Sequence, residues 1–347
     1  MRVIGAHGTP GFVGGGASEL ANSLGAALIS AGHEVEMLPV HFDESSDTLS
    51  QLAGLRAHDL TPHADRLIAL RWPAHYLRHD RKIVGFLHEF RPLFDLADQF
   101  GAAGSLGMLD DSRAADLECT ERTALGESHR VFANSRVVAE RIGRNIGSLP
   151  VEVLEPPFPR EMPPEATEAE RSRMVQLGRV ASIKRQHLAI EACAASSDDW
   201  KLTIAGVPEP AAYGLLLEEM VRDLGVEERV DLRLRWITEQ EKIELLGTAF
   251  GVFNLAMAED SYSYVTYEAW ASGLPVITMR DTEGIVEAVE RVGAGVVCDV
   301  SPGALAEAAD ALSQDRSRGR ELGSTGRDWV TSGATTWPEA VARLLAH

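Results

Sequence analysis

The segment LGRVASIKRQ, Leu177–Gln186, leaves an apolar strand pattern and enters a helical pattern that begins near Arg185 or His187. The first amide groups of a helix attract anions, because they have no hydrogen-bond partner within the helix. Arg179 adds a guanidinium that can bind an oxyanion through two hydrogen bonds, and Lys184 adds a compact positive charge. An isolated Arg and Lys on a loop are usually solvated, but their place between a strand and a helix favours an anion site.

A second segment, DSYSYVTYEAWASGLPVIT, carries two carboxylates eight positions apart, Asp260 and Glu268. Its serines predict a tight polar turn whose amides can face a phosphate, followed by a helix. Acids near a helix start also complement the helix dipole, which explains Asp260 better than Glu268, since Glu268 lies among apolar residues. A carboxylate at position 268 can instead accept hydrogen bonds from ribose hydroxyls. Together, the two segments suit a nucleoside diphosphate sugar.

Apolar strand-like runs alternate with helical patterns along the chain, from RVIGAH near the start to GVVCDV near residue 300. This alternation predicts an α/β protein with parallel sheets and right-handed crossovers. The segment PPFPREMPPEAT is too rich in proline for a central strand or a helix interior, and it marks a boundary. We therefore predict two Rossmann-like domains, a linker between them, and a closing helix that packs back on the first domain. The ranges are 1–155 and 168–330 for the domains, 156–167 for the linker and about 331–347 for the helix.

The carboxyl ends of the strands are the expected ligand side of each sheet. Two sheets facing each other across a cleft would bind a donor on the second domain and an acceptor on the first. In the first domain, the loop TPGFVGGGASE allows a close approach of the backbone to a ligand through Gly14, Gly15 and Gly16. The same loop also suits a tight connection from strand to helix, and both interpretations stay open.

Further candidates lie in the first domain. His88 ends an apolar strand and is a candidate for contacting a sugar hydroxyl or moving a proton, although a histidine in that place is more often structural. Arg91, Trp72 and Tyr76 are candidates for acceptor binding, since aromatic rings stack on sugar rings. Packing inside the domain is the more common role for at least one of the two rings.

Size, charge and cysteine content exclude several other classes. The 347 residues carry a formal charge of -19, which argues against a nucleic-acid partner or a broad surface for anionic membranes. No apolar run is long enough for a membrane span, so membrane contact is expected to be peripheral at most. Three scattered cysteines favour a reduced, cytoplasmic setting. No metal or other cofactor is predicted, since neither pair of adjacent aspartates, 110–111 or 198–199, follows a strand.

These residues carry a resemblance to glycosyltransferase family 4, retaining enzymes with the two-domain GT-B architecture, and it covers most of the chain. LGRVASIKRQHLAIEA is similar to the family's phosphate-binding segment, and DSYSYVTYEAWASGLPVIT is similar to its motif of two acids separated by seven residues. GGGASELANSLGAALISAGHEVEML and RVFANSRVVAERI resemble the family's first loop and helix and a later segment of its first domain. Asp260 stands where the family usually has Glu, and Ser263 stands where it commonly has Gly.

The resemblance implies a role for each matching residue. Arg179 and Lys184 would neutralise the donor diphosphate in place of a metal ion, and Glu268 would hold the ribose. Tyr264 and Val265 would offer backbone amides to the phosphates. The remaining assignments are Asp260 to the sugar hydroxyls, His88 to the anomeric centre, Gly15 and Gly16 to the diphosphate or sugar, Ile237 to the base, and Tyr262 and Ser263 to the donor-binding loop.

The predicted activity is transfer of a hexose or other sugar from a nucleoside diphosphate sugar to a hydroxyl of a small or lipid-linked acceptor, with retention and without a metal. Two alternatives stay open. A sugar-nucleotide epimerase of the same architecture would convert the donor with no acceptor, and a non-catalytic nucleotide-binding module would bind nucleotides without turnover. A phosphorylase of this architecture is disfavoured, since no pyridoxal-binding lysine context is recognisable.

Overall fold

The computed structural model describes residues 1–9, 16–43, 46–87, 111–158, 171–257 and 263–346. The chain divides into two compact units, the first formed by residues 1–159 and 335–347, the second by residues 160–334. The division between the two units falls inside the proline-rich segment.

The first unit is built on a parallel sheet with the strand order β2-β1-β3-β4-β5-β6 among the described residues. The strands are β1 (Arg2–Thr9), β2 (Glu34–His41), β3 (Arg66–Leu70), β4 (Lys82–Leu87), β5 (Arg130–Ala133) and β6 (Val151–Val153). The central strands β3 and β4 are apolar after their first residue, as a sheet covered by helices on both faces requires. The helices of this unit are α1 (Gly16–Ser30), α2 (Thr48–Arg56), α3 (Asp111–Gly126), α4 (Arg136–Asn145) and α12 (Trp337–Leu345), with a 3-10 turn at Ala74–Tyr76.

The second unit repeats this layout with the strand order β12-β11-β10-β7-β8-β9. Its strands are β7 (Arg173–Leu177), β8 (Lys201–Ala205), β9 (Val230–Arg233), β10 (Ala249–Phe253), β11 (Val276–Met279) and β12 (Gly295–Cys298). Its helices are α5 (Gln186–Ala195), α6 (Ala211–Asp223), α7 (Glu239–Gly247), α8 (Ser263–Ala271), α9 (Gly284–Val292), α10 (Pro302–Gln314) and α11 (Arg316–Ser332), and a 3-10 turn at Ser182–Lys184 precedes α5. The predicted pair of Rossmann-like α/β units is confirmed.

The closing helix α12 belongs to the first unit. Ala340, Val341 and Leu344 are buried in one apolar cluster with Val3 of β1 and Leu24 of α1. Thr336 starts the helix with a capping box, in which its hydroxyl accepts from the Glu339 amide and the Glu339 carboxylate accepts from the Thr336 amide. The C-terminal helix α12 therefore packs in the same core as the N-terminal elements β1 and α1.

A glycine-lined contact holds α8 against the rest of the second unit. A Cβ added at Gly326 of α11 would lie 2.5 Å from the Trp270 ring, and one added at Gly323 would lie 2.0 Å from the carbonyl oxygen of Gly273. Trp270 is fully buried and donates its indole N–H to the carbonyl of Ala294. The helix that carries the second predicted acid is thus fixed from behind by a close helix–helix approach.

Each sheet has one place where consecutive strands depart in opposite directions. In the first unit it lies between β1 and β3, and in the second unit it lies between β7 and β10. In open parallel sheets, ligands generally bind beyond the carboxyl ends of the strands at such a switch point. The segments after β7 and β10 are Gly178–Lys184 and the stretch that leads to α8. Both predicted donor-binding segments therefore lie at the switch point of their sheet.

A buried polar cluster lies in the first unit. Lys82, 1% exposed, donates from Nζ to the carbonyls of His75 and Ala124, each at 2.8 Å. Beside it, Glu121 accepts the hydroxyl of Tyr76 and lies 3.0 Å from Nε2 of His75. Burial is the main cause that lowers the pKa of Lys82 to about 8, from 10.5.

Among the described residues, the helices lack the combination of length and apolarity that a membrane crossing requires.

Lys82 gives the stability of the protein a pH dependence of known sign. Between pH 8 and pH 10.5 the unfolded chain keeps a proton that the folded chain has released, so the free energy of unfolding rises with pH. Over this interval the free energy of unfolding of wild type should rise by up to about 3 kcal/mol more than that of Lys82→Met, since one pKa unit is worth ~1.4 kcal/mol. Urea denaturation at each pH measures the difference. Lys201→Met, which removes an exposed lysine of β8, controls for net charge, and parallel curves for wild type and Lys82→Met would contradict the prediction.

Candidate active site

The two predicted segments meet in the second unit. The amide of Met257, after β10, donates to the carbonyl of Ile183, in the 3-10 turn after β7, at 2.9 Å. A Cβ added at Gly178 would lie 3.9 Å from Cγ2 of Val265, in the first turn of α8. The cationic loop and the start of α8 are therefore neighbours at the switch point.

Two buried glutamines fix the backbone of the cationic loop. Gln176, on β7, donates from Nε2 to the carbonyl of Lys184 at 2.8 Å. Gln186, the first residue of α5, donates from Nε2 to the carbonyl of Arg179 at 3.0 Å and accepts the amide of Ala181 at 3.3 Å. Because a buried amide side chain must satisfy its donors, these bonds hold the loop in one conformation. The main chain that carries Arg179 and Lys184 is thereby preorganised.

Arg185 ties the same loop to the ends of two further strands. Its Nε donates to the carbonyl of Leu255, after β10, at 2.6 Å. Its Nη1 and Nη2 donate to the carboxylate of Asp281, after β11, at 2.7 and 2.9 Å. Arg185 is 6% exposed and has a φ of 54°, in the left-handed region. These bonds join the loops after β7, β10 and β11 through one guanidinium.

The two predicted diphosphate ligands differ in their surroundings. The exposed guanidinium of Arg179 lies 3.1 Å from the carboxylate of Glu209, and each side chain is 56% exposed. Lys184 is half-buried at the end of the 3-10 turn. An exposed ion pair contributes little free energy, so an anionic ligand can displace Glu209 from Arg179.

Asn254 positions the start of α8. Its side-chain amide donates to Oγ of Ser263 at 2.7 Å and to Oγ1 of Thr266 at 3.0 Å, and its carbonyl accepts the hydroxyl of Thr278 at 2.7 Å. Ser263 has a φ of 51°, a conformation that favours glycine. This explains why a serine can occupy the position where the resembling family commonly has Gly, since the bond from Asn254 offsets the strain. The amides of Tyr264 and Val265 follow in the first turn of α8.

Glu268 is buried and bound to a lysine that the sequence interpretation did not single out. Nζ of Lys242, on α7, lies 2.6 Å from Oε1 of Glu268 and 2.9 Å from Oε2 of Glu239. The side chains of Lys242 and Glu268 are 13% and 9% exposed. Ile237, the residue predicted to contact a base, is half-buried two positions before α7. Helix α7 thus connects the predicted base contact to the predicted ribose acid.

The sequence contains a signal for α7 but none for this ion pair. Thr238 and Glu241 form the capping box that fixes the helix start, a pattern that is legible in TEQE. The partner of Lys242 is 26 positions away and belongs to a different helix. Arg185 is missed for a similar reason, because its two partners lie 70 and 96 positions away.

The acceptor candidates of the first unit are largely internal. Tyr76 is fully buried, and its hydroxyl donates to Glu121. Trp72 is 8% exposed and packs edge-on against Phe42, with ring centroids 4.4 Å apart. Both rings therefore pack in the core, and a contact of either with an acceptor stays a prediction. Gly16 is the first residue of α1. Gly15, His88, Arg91, Asp260 and Tyr262 lie outside the described residues.

Over the described ranges, no group of three or more His, Cys, Asp or Glu side chains has the arrangement of a metal site. The expectation that the protein needs no metal stays a prediction.

Comparison with known proteins assigns the second unit. Residues 158–329 match the family described as "Glycosyl transferases group 1". The match spans nearly all of the second unit. The predicted class of enzyme, a glycosyltransferase, is thereby confirmed. No curated protein matches the sequence.

Solved structures resemble the whole chain. HepE from Anabaena, in complex with UDP, is 16% identical with a TM-score of 0.74, and 100% of each chain is covered. Sucrose-phosphate synthase from Thermosynechococcus elongatus is 16% identical with a TM-score of 0.75, over 99% of this chain and 97% of that chain. WaaG, a glycosyltransferase involved in lipopolysaccharide biosynthesis, is 16% identical with a TM-score of 0.71, over 100% of each chain. The likeness confirms the predicted GT-B fold.

Replacing Arg185 tests whether its guanidinium stabilises the loops after β10 and β11. Arg185→Ala leaves the Leu255 carbonyl without its donor and Asp281 without its partner. Because the Asp281 side chain is 40% exposed and regains water, we expect a loss of about 3 kcal/mol in the free energy of unfolding, the low end for a broken buried pair. Urea denaturation measures this.

The matched control is Arg280→Ala, which breaks the exposed ion pair between Arg280 and Asp299. Its loss should stay below about 1 kcal/mol. Equal losses in the two variants would show that Arg185 does not hold the loops.

Proposed function

We propose that the protein is a retaining, metal-independent glycosyltransferase that moves a sugar from a nucleoside diphosphate sugar to a hydroxyl acceptor. The observation that carries the proposal is the meeting of two features at the β7/β10 switch point. A preorganised loop bears Arg179 and Lys184, and the N-terminus of α8 follows β10 beside it. Cationic side chains and the first amide groups of a helix are groups that bind a diphosphate.

The same groups would lower the barrier for departure of the diphosphate. As the bond between the anomeric carbon and the phosphate oxygen breaks, negative charge grows on that oxygen. Arg179, Lys184 and the amides of Tyr264 and Val265 would stabilise this charge more in the transition state than in the ground state. The acceptor oxygen bonds to the anomeric carbon on the same face, and its proton passes to the departing phosphate oxygen. This front-face route accounts for retention with no protein nucleophile.

The remaining donor contacts follow from the position of α7 and α8. Glu268 would accept hydrogen bonds from the ribose hydroxyls, and the segment around Ile237 would contact the base. Structures of HepE hold UDP and UDP-glucose, which supports a nucleotide sugar as the donor of this protein. Two fixed cations beside the diphosphate supply the positive charge that a divalent metal provides in other transferases. Turnover should accordingly persist in EDTA.

Removing Lys184 tests the proposal. Lys184→Ala should lower kcat by roughly 100- to 1,000-fold, the usual cost of losing one group that stabilises developing charge. Lys184→Arg, which keeps the positive charge, should retain more activity than the alanine variant. Release of the nucleoside diphosphate from a panel of UDP, GDP and ADP sugars measures turnover, and NMR of the product gives its anomeric configuration. Near-normal kcat in Lys184→Ala, or an inverted product, would contradict the mechanism.

Incubation without acceptor separates the alternatives. A new nucleotide sugar formed in acceptor-free buffer identifies an epimerase. Nucleotide-dependent thermal stabilisation with no turnover on any acceptor identifies a binding module. Release of nucleoside diphosphate that depends on an acceptor supports the transferase.

Glu209 gives a second test, because it competes with the donor for Arg179. Glu209→Gln removes the negative charge that lies 3.1 Å from Arg179. We expect the KM for the donor to fall by up to about fivefold with kcat unchanged, since an exposed ion pair is worth at most ~1 kcal/mol. Steady-state kinetics measures both constants. A raised KM would mean that Arg179 does not meet the diphosphate, and Arg179→Ala should raise KM in the same assay.

A further inference from the structure

A lysine outside both sequence motifs contacts the ribose acid. Nζ of Lys242 lies 2.6 Å from Oε1 of Glu268, and neither side chain is more than 13% exposed. Charged groups this far removed from water need a counter-charge and fixed hydrogen bonds. Lys242 supplies both to Glu268, from a separate helix.

The position of Lys242 is fixed independently of any ligand. It lies in the second half of the first turn of α7, which the Thr238–Glu241 capping box starts. Oε2 of Glu239, three residues earlier on the same helix, lies 2.9 Å from its ammonium nitrogen. Helix α7 therefore presents Lys242 to Glu268 in a defined orientation.

We propose that Lys242 is a positioning residue for the donor: it holds the Glu268 carboxylate ionised and oriented so that this carboxylate accepts hydrogen bonds from the ribose hydroxyls. The proposal rests on the function proposed above and adds to it a residue that sets the preference for a ribonucleotide. Lys242 itself touches Glu268 and not the reacting atoms. Its loss should reduce recognition of the ribose while the binding of the diphosphate persists.

Nucleotides that lack ribose hydroxyls isolate this effect. UDP, GDP and ADP are titrated into wild type by calorimetry, and the tightest of the three is compared with its 2′,3′-dideoxy form. Wild type should prefer the ribonucleotide by about tenfold or more, since hydrogen bonds to a charged acceptor are lost in the dideoxy form. In Lys242→Met this preference should fall to about threefold or less, because a neutral or displaced acid forms weaker hydrogen bonds.

The ratio of the two affinities excludes a general electrostatic effect. Loss of one positive charge weakens the binding of both nucleotides equally and leaves their ratio unchanged. Arg235→Met is the matched control, since it removes an exposed cation that is paired with Glu241 near the start of the same helix. Glu239→Gln, which removes the other partner of Lys242, should keep the wild-type ratio, and Lys242→Arg should recover most of it.

The outcomes are distinct. If wild type binds none of the nucleoside diphosphates, the proposed function is wrong and this inference with it. If wild type prefers the ribonucleotide and Lys242→Met keeps the same preference, only the role of Lys242 is wrong. If Lys242→Met does not fold, the double variant Lys242→Met/Glu268→Gln removes both charges of the pair. It should bind the two nucleotides with the same ratio as Glu268→Gln alone, and a wild-type ratio in the double variant would overturn the proposal.

Discussion

The guanidinium of Arg185 is the interaction on which the carboxyl edge of the second sheet depends. It binds one carbonyl after β10 and one carboxylate after β11, while its own backbone turns from the loop after β7 into α5. Three loops that start from three different strands are thereby fixed to one another. Arg179 and Lys184 occupy one of these loops, and the segment leading to α8 starts from another. The geometry of the proposed donor site therefore rests on a residue that need not touch the donor.

The fold could be predicted from local patterns, because parallel strands buried on both faces are apolar along most of their length. RLIAL of β3 and AFGVF of β10 are buried at every position. The strand order is not local information. It places β7 beside β10 and brings the loop with Lys184 beside Met257 and the first turn of α8. The sequence supplied the two segments, and the topology explains why they form one site.

The side chains that sequence reasoning missed share one property, which is a partner far away in the chain. Lys242 reaches Glu268 across 26 positions, and Arg185 reaches Asp281 across 96. A local sequence pattern cannot predict an isolated contact between two residues that are far apart in the chain. Tyr76 also has a distant partner, because Glu121 accepts its hydroxyl in the core from 45 positions away.

Burial separates the cations of the second unit into two kinds. Arg185 and Lys242 are paired with carboxylates while largely out of water, so separating either pair would leave a charge poorly solvated. The Arg179 pair with Glu209 is exposed on both sides, and water can replace either partner at little cost. In the proposed function, a diphosphate would therefore exchange with Glu209 without disturbing the buried pairs. In a chain with a net charge of -19, the exposed Arg179 can therefore exchange its partner while the buried Arg185 and Lys242 keep theirs.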